Sequence, residues 1–317
     1  MATISTDISQ AKQILENGEL VAIPTETVYG LAANAFDIVA VARIFEAKNR
    51  PTFDPLIVHT YSLEKVFEFT EAVHPKLLKL AKNFWPGPLT LLLPKKSIIP
   101  DLVTSGLDRV GVRVPNHPLT LELLKQLPFP LAAPSANPFG YISPTSAKHV
   151  NDQLGSKIDY ILDGGSCQVG LESTIVGEEQ GEIIIYRLGG LSIEAIKDVV
   201  GEVSVQLNQS SNPKAPGQLK SHYAPKKPIF IGNITALQHL HAGKKQGIIT
   251  FGDRHFSQPN LVVKNLSPSK NYQEAAVNLF SFLRALDESS VDVIFCELLP
   301  EESLGLAIND RLTRAAS

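Results

Sequence analysis

Two short segments carry the side chains best suited to binding a charged ligand. They are Lys48-Asn49-Arg50-Pro51 and Ser135-Ala136-Asn137-Pro138, and each follows an apolar stretch of the chain. Pro51 disfavours continued helix, so the two cations before it lie where the backbone turns and side chains can converge on an anion. The serine and asparagine add neutral hydrogen-bonding groups for the same kind of ligand. Together the two segments indicate one anion-binding site.

Each segment also has an ordinary structural explanation. Cations in the last turn of a helix stabilise it by ~0.3–1 kcal/mol through the helix dipole. Serine, asparagine and proline are common residues of turns that follow a buried strand. Taken alone, either segment is accounted for in this way, so the argument for a site depends on further residues.

Polar residues also follow three other predicted strands. Thr25-Glu26-Thr27 comes after Ile23-Pro24, His59 follows Leu56-Ile57-Val58, and Arg113 follows Val110-Gly111-Val112. Open α/β sheets place ligands at the ends of their strands. Because the pattern recurs, we predict that all five groups of polar side chains share one pocket.

The sequence lacks the familiar signatures of other nucleotide and hydrolase sites. It contains no G-x-x-x-x-G-K-[ST], no G-x-G-x-x-G and no G-x-S-x-G. Its two cysteines, Cys167 and Cys296, are far apart, which argues against a disulfide framework or a cysteine-rich zinc site. His239 and His241 are two residues apart on a predicted helix and form a poor metal pair. We therefore predict no metal site built from protein ligands.

The pattern of apolar residues predicts a first α/β domain over residues 1–203. Helices are expected at Ile8–Asn17 and Ile38–Lys48. Strands are expected at Leu20–Pro24, Leu56–His59, Leu89–Leu93, Val110–Val114, Leu131–Ala133, Tyr160–Leu162, Ser173–Val176 and Ile183–Tyr186.

Residues 204–227 lose this periodicity and are predicted to form a linker. Residues 228–317 then alternate strands and helices again, which predicts a smaller, Rossmann-like parallel α/β domain. Its strands are expected at Ile229–Ile231, Gly247–Thr250, Leu261–Val263 and Val291–Cys296, with helices from Thr235, at Tyr272–Asp287 and from Leu304.

Composition limits the class of protein. The 317 residues are 44% hydrophobic with a net charge of -3, so a global basic field of the kind that marks a dedicated nucleic-acid binder is absent. No apolar run approaches the roughly 18 residues of a membrane span, and residues 1–12 do not resemble a signal sequence. We expect a cytoplasmic protein without membrane contact, in which any RNA contact is local or transient.

Several ordered motifs resemble one family. They are Pro-Thr-Glu-Thr-Val-Tyr-Gly-Leu from Pro24, Lys48-Asn49-Arg50-Pro51, Pro-Leu-Ile-Val-His from Pro55, Trp85-Pro86-Gly87-Pro88, Val112-Arg113-Val114-Pro115, Ala133-Pro134-Ser135-Ala136-Asn137, Glu172-Ser173-Thr174-Ile175, Ser221-His222-Tyr223-Ala224-Pro225 and Asn309-Asp310-Arg311-Leu312. Together they resemble the YrdC-like threonylcarbamoyl-adenylate synthases in their long, two-domain form. The resemblance implies a twisted mixed sheet with flanking helices in the first domain.

The resemblance implies an activity. Enzymes of this family combine L-threonine, bicarbonate or CO2, and ATP into threonylcarbamoyl-adenylate and pyrophosphate, with Mg2+ held mainly by the ATP phosphates. The product passes to the tRNA threonylcarbamoyl transferase machinery, which modifies adenosine 37 of tRNAs.

The resemblance also implies roles for residues at the matching positions. The signature tetrad, expected to be catalytic, is Lys48, Arg50, Ser135 and Asn137. The positions expected to bind ATP are Lys48, Arg50, Asp54, Arg109, Ser135, Asn137, Ser143, Arg187 and Tyr223, with Asp54 acting through its backbone. The positions expected to bind threonine are Thr27, His59, Arg113, Ala133 through its backbone, and Ser173.

Two other functions remain as alternatives. One is an RNA-binding module, since YrdC-like domains have a concave basic surface. The other is a carbamoyltransferase of hydrogenase maturation, although those proteins add zinc-finger regions and this sequence has no C-x-x-C. A further hypothesis is that the stretch Ala215–Pro225 closes over the pocket as a lid and keeps water from the product.

Overall fold

The computed structural model describes residues 1–207, 222–254, 256 and 261–317. The first sheet contains the eleven strands β1 (Thr3–Ser5), β2 (Val21–Ile23), β3 (Gly30–Asn34), β4 (Ile57–His59), β5 (Leu89–Pro94), β6 (Arg109–Arg113), β7 (Leu131–Ala132), β8 (Tyr160–Leu162), β9 (Thr174–Glu179), β10 (Glu182–Arg187) and β11 (Ser204–Val205).

The helices that flank this sheet are α1 (Ile8–Glu16), α2 (Ile38–Lys48), α3 (Leu63–Val66), α4 (Pro75–Phe84), α5 (Asp101–Thr104), α6 (Pro118–Gln126), α7 (Ala147–Leu154) and α8 (Ile193–Val200). The second sheet has β12 (Ile229–Ile231), β13 (Gln246–Thr250), β14 (Leu261–Asn265) and β15 (Val293–Cys296). Its helices are α9 (Ile234–Leu240), α10 (Tyr272–Glu288) and α11 (Gly305–Ala315).

The order of strands in the large sheet brings the polar strand ends together. The order is β1-β8-β2-β3-β7-β4-β6-β5-β9-β10-β11, with both parallel and antiparallel neighbours. Strands β4 and β6 are parallel neighbours in which His59 lies directly opposite Arg113. Ser135 forms an isolated bridge with Gly30 at the start of β3. Residues that are distant in sequence therefore come together on one sheet.

The second sheet is parallel throughout, in the order β12-β15-β13-β14. This confirms the predicted fold class, a mixed sheet followed by a smaller parallel α/β unit. The helices and strands of residues 228–317 also follow the predicted order.

Three strands were missed by the sequence analysis: β1, β3 and β11. The residues of β3 are Gly-Leu-Ala-Ala-Asn, of which only leucine has much preference for a strand. Strands β1 and β11 are the two edges of the sheet and have only three and two residues. Neighbouring strands, rather than local propensity, determine these segments.

One continuous cluster of buried apolar side chains extends from the first sheet to the second. It includes Leu171 and Leu188 near the first sheet, and Leu279, Phe280 and Leu283 on α10. Most of the predicted linker, residues 208–221, lies outside the described residues, and so does most of the stretch predicted to form a lid. Within the described part of the chain, none of the helices combines the length and apolar character needed to cross a bilayer.

Arg284 on α10 connects the second domain to the first. It is 1% exposed, and its guanidinium donates to the carbonyls of Ile142 and Ser143 and to the side chain of Gln153. Its charge also lies over the ring of Tyr141 at 5.1 Å. One arginine therefore satisfies several buried acceptors of the other domain.

We predict that Arg284→Ala lowers the free energy of unfolding by ~3 kcal/mol, because it leaves buried carbonyl groups without donors. Chemical denaturation measures this change. The control is Arg254→Ala, which breaks a half-exposed ion pair with Glu297 and should cost at most ~1 kcal/mol. Equal losses in the two variants would contradict the structural role of Arg284.

Candidate active site

The polar strand ends surround one open cleft. Its lining combines three arginines with hydroxyl groups and apolar side chains. The lining residues are Thr25, Thr27, Val28, Gly30, Arg50, Pro55, Ile57, His59, Arg113, Ala133, Pro134, Ser135, Glu172, Ser173, Arg187, His222 and Tyr223. The predicted convergence of the five groups on one pocket agrees with this geometry.

Arg113 is held rigidly at the end of β6. Its Nη2 forms an ion pair with Glu26 at 2.7 Å, and its Nη1 donates to the hydroxyl of Thr27 at 2.8 Å. Its Nε donates to the carbonyl of Gly87 at 3.2 Å. Because Nε and Nη1 donate hydrogen bonds and Nη2 is ion-paired, the guanidinium presents a fixed geometry to a ligand carboxylate.

His59 lies beside Arg113 and is uncharged. Its side chain is buried, and burial together with the Arg113 charge lowers the pKa of the imidazole to about 3. Its Nδ1 lies 3.3 Å from the carbonyl oxygen of Ile57. The ring is therefore a neutral hydrogen-bonding group at physiological pH, rather than a second cation for a carboxylate.

Arg187 and Ser173 form the opposite wall. The guanidinium of Arg187 donates to the carbonyl of Ser173 through Nε at 3.0 Å, and through Nη2 to the Ser173 hydroxyl at 3.1 Å. Ser173 Oγ also lies 2.7 Å from the hydroxyl of Thr90. The segment after Arg187 also passes close to the backbone of Glu172. Gly189 permits this approach, since a Cβ there would lie 2.2 Å from the carbonyl oxygen of Glu172.

Arg50 reaches the cleft because the chain turns sharply after α2. Asn49 adopts the left-handed conformation with φ of 53°, and the amide of Arg50 bonds to the carbonyl of Phe45 at 2.9 Å. The buried carboxylate of Asp54 pairs with Arg50 at 2.9 Å, and the Asp54 carbonyl accepts from Arg50 Nε at 3.1 Å. The carboxylate of Asp54 is thus neutralised within the protein.

Lys48 and Asn137 lie behind the lining. The ammonium of Lys48 donates to the carbonyls of Ser135 and Asn137, and the amide of Asn137 donates to the carbonyls of Pro138 and Tyr141. Lys48 therefore lies in the last turn of α2 and also binds a distant loop, a contact that the helix-dipole explanation does not include. Of the predicted tetrad, Arg50 and Ser135 line the cleft, while Lys48 and Asn137 shape the loop that carries Ser135.

The beginning of the described segment after residue 221 also contributes to the lining. Tyr223 is 1% exposed and stacks on Phe280 with ring centroids 5.5 Å apart. Burial raises the pKa of Tyr223 to about 12, so its hydroxyl stays protonated. Next to it, burial and the nearby Arg50 charge hold the pKa of His222 well below its usual range. The predicted position of Tyr223 at the pocket agrees with the structure.

Two residues predicted to bind ATP lie elsewhere. Arg109 begins β6, whereas Arg113 ends it. At ~3.3 Å per residue, the two Cα atoms lie about 13 Å apart. Its side chain bonds to Glu179 and Tyr186, away from the cleft. Ser143 is fully buried, and its hydroxyl donates to Glu172 at 2.5 Å, so it meets the cleft only through that carboxylate.

Sequence reasoning missed three residues that build the site: Glu26, Glu172 and His222. Glu26 fixes Arg113, while Glu172 and His222 belong to the lining. Each one adjoins a residue that had been assigned, namely Thr27, Ser173 or Tyr223. Each of the three is a charged or titratable residue inside a recognised motif, which could have drawn attention to it. Whether its side chain points toward the cleft depends on the fold.

Comparison with known proteins extends over both domains. Residues 13–189 match the Sua5–YciO–YrdC family model, described as telomere recombination. Residues 191–317 match the model described as the threonylcarbamoyl-AMP synthase C-terminal domain. Helix α8 and strand β11 fall within this second match, although α8 packs against α4 and β11 pairs with β10 of the large sheet.

Curated relatives are similar over nearly their full lengths. A threonylcarbamoyl-AMP synthase of Pyrococcus abyssi is 41% identical, over 96% of this chain and 93% of the relative. The Bacillus subtilis enzyme of the same name is 39% identical, over 100% and 94%. A crystal structure of P. abyssi Sua5 complexed with L-threonine has a TM-score of 0.91 and 40% identity, covering 99% of this chain and 97% of that one.

We predict that His59 makes stability depend on pH. The unfolded imidazole takes up a proton below about pH 6.5, whereas the folded ring stays neutral down to about pH 3. Acid therefore favours unfolding, and stability rises with pH through this window and levels off above it. Between pH 7 and 5, unfolding free energies should fall by ~2 kcal/mol more in the wild type than in His59→Asn.

Chemical denaturation of both proteins at pH 7 and at pH 5 measures this difference. Parallel curves for the wild type and His59→Asn would show that His59 is not buried in its neutral form.

Proposed function

Because the chain belongs to the Sua5–YciO–YrdC family and carries the C-terminal domain of threonylcarbamoyl-AMP synthases, we propose that it is such an enzyme. It converts L-threonine, bicarbonate or CO2, and ATP into threonylcarbamoyl-adenylate and pyrophosphate. The product serves N6-threonylcarbamoyladenosine formation at position 37 of tRNA, through separate tRNA threonylcarbamoyl transferase machinery. The observation that carries this proposal is the convergence of two sets of polar groups on one cleft.

The first set suits threonine. The fixed guanidinium of Arg113 can bind its carboxylate, and the hydroxyl of Thr27 and the neutral ring of His59 offer hydrogen bonds. The bound L-threonine in the P. abyssi structure supports this assignment by similarity. The backbone of Ala133 and the hydroxyl of Ser173, which also line the cleft, complete the proposed threonine site.

The second set suits the nucleotide. Arg50 and Arg187 are buried cations at the cleft, with the hydroxyl of Ser135 and the ring of Tyr223 beside them. Several phosphate charges would be costly to bring into such a site without cations to balance them. Asp54 contributes through its pairing with Arg50 and through its carbonyl, and Lys48 and Asn137 contribute by holding the Ser135 loop.

The reaction requires positioning more than a protein nucleophile. The amine of threonine attacks CO2 and loses a proton to give a carbamate. A carbamate oxygen then attacks the α-phosphorus in line, the bond to the β-phosphate oxygen breaks, and pyrophosphate leaves. Such transfers depend on orientation and on stabilising spread negative charge, which the clustered guanidinium groups supply.

ATP enters as its Mg2+ complex in this proposal. Across the described residues, no group of three or more histidines, cysteines, aspartates or glutamates is arranged to hold a metal. Glu172, the carboxylate that lines the cleft, is bound to Arg311. This donor set fits a cation held by phosphate oxygens, the ligands that Mg2+ prefers. Closure of a lid over the bound substrates stays a prediction.

The direct test is to incubate the protein with MgATP, bicarbonate and threonine. Mass spectrometry and a pyrophosphate assay should detect threonylcarbamoyl-adenylate and pyrophosphate in equal amounts, and only when threonine is present. Absence of both products would refute the proposal. Salt-dependent RNA binding without threonine-dependent ATP consumption would instead favour the RNA-binding alternative.

The two arginines of β6 provide a matched pair of variants. We predict that Arg113→Lys lowers kcat/KM for threonine at least about tenfold, because lysine cannot bridge Glu26, Thr27 and the ligand at once. Arg109→Lys, at the other end of the strand, should stay within about twofold of the wild type. Equal effects in steady-state assays would argue against the threonine role of Arg113.

Helix α2 and the turn after it provide a second set of variants. We predict that Arg50→Ala and Lys48→Ala each lower kcat/KM at least about tenfold, or ~1.4 kcal/mol of transition-state stabilisation. Arg50→Ala removes a cation from the cleft, and Lys48→Ala removes the donor that holds the Ser135 loop. Arg43→Ala, on the same helix but bonded to Gly18 and Glu19, should retain wild-type rates. Wild-type rates in all three would restore the helix-dipole explanation.

A further inference from the structure

Glu172 is an unexpected side chain in this cleft. It lines the same space as Arg50, Arg113 and Arg187 and is 7% exposed. A free carboxylate there would repel the phosphates of a nucleotide, and the low dielectric of a buried site strengthens such repulsion. The neighbours of Glu172 therefore decide whether the cleft can accept an anion.

Both carboxylate oxygens of Glu172 are occupied, and one partner comes from the second domain. Its Oε1 accepts from the hydroxyl of Ser143 at 2.5 Å. Its Oε2 accepts from Nε of Arg311 at 2.9 Å. Arg311 lies on α11 and is fully buried.

The same guanidinium holds two more parts of the cleft. Its Nη2 donates to the carbonyl of Leu188 at 2.7 Å, directly after Arg187. Its charge lies 5.0 Å from the centre of the Tyr223 ring. The remaining Nη1 pairs with Asp310 at 2.6 Å, which anchors the side chain on its own helix. Arg311 thus contacts Glu172 and Tyr223 of the lining, and the segment next to Arg187.

We propose that Arg311 is a positioning residue that completes the nucleotide half of the active site, so that the second domain is part of that site. Arg311 neutralises Glu172, keeps its carboxylate turned toward Ser143, and supports the ring of Tyr223. This inference rests on the proposed function. It gives the second domain a chemical contribution in addition to its packing against the first domain.

The arginine of the proposed threonine half is held without Arg311. Arg113 has its own carboxylate partner, Glu26, and is fixed by Thr27 and Gly87. Loss of Arg311 should therefore weaken ATP binding much more than threonine binding. General damage to the fold would weaken both.

The test uses the full chain with Arg311→Gln, Glu172→Gln, the double variant and Arg311→Lys. We expect Arg311→Gln to raise the KM for ATP at least about tenfold and the KM for threonine less than about threefold. The double variant should recover most of the ATP affinity, because it removes the uncompensated carboxylate together with its partner. Arg311→Lys should be intermediate, since it keeps the charge but not the fork.

Calorimetric titration with a non-hydrolysable ATP analogue measures nucleotide binding without the reaction. Arg254 lies in the same domain but pairs with Glu297 instead of Glu172. The Arg254→Gln variant should therefore bind the analogue like the wild type. Thermal melting checks folding. If Arg311→Gln does not fold, Arg311→Lys takes its place, and the KM for ATP should again rise more than the KM for threonine.

Equal increases in both KM values, or a double variant no better than Arg311→Gln, would overturn the role of Arg311 while leaving the proposed function intact. A wild-type protein that neither binds the analogue nor forms threonylcarbamoyl-adenylate would overturn the proposed function itself. The two failures are therefore distinguishable.

Discussion

The architecture depends on keeping several cationic side chains buried around one cleft. Arg50, Arg113 and Arg311 are each buried beside a carboxylate, namely Asp54, Glu26 and Glu172. Removing one partner of such a pair leaves an uncompensated charge in a low dielectric, which is strongly destabilising. The pairs therefore fix the arginines in place before any ligand arrives, and their geometry is available for binding without reorganisation.

These charges come from the whole length of the chain. Arg50 follows α2, Arg113 ends β6, Arg187 ends β10, and Arg311 lies on the last helix, α11. The crossovers of the mixed sheet and the packing of α10 and α11 against the first domain bring them together. In the proposed function, the groups for threonine and those for the nucleotide come from different elements, each with its own supporting contacts.

Much of the secondary structure could be predicted from local patterns. Helix α2 has the predicted bounds, and the second domain follows the predicted alternation of strands and helices. Strand β3 could not be predicted because its glycine and alanines have little strand preference, and neighbouring strands supply its hydrogen bonds. The motifs also identified the family and the side chains that converge on the cleft, including Thr27, His59 and Arg187.

The sequence by itself determined which residue types stand at the strand ends, because apolar runs followed by polar residues are a local pattern. Only the tertiary structure decided which of them line the cleft. It placed Arg50 and Ser135 at the cleft and Lys48 behind it, and it separated Arg109 from Arg113 on one strand. It also brought Arg311 to Glu172 across 139 positions. Ion pairs and hydrogen bonds act over a few ångströms in space, whatever the separation along the chain.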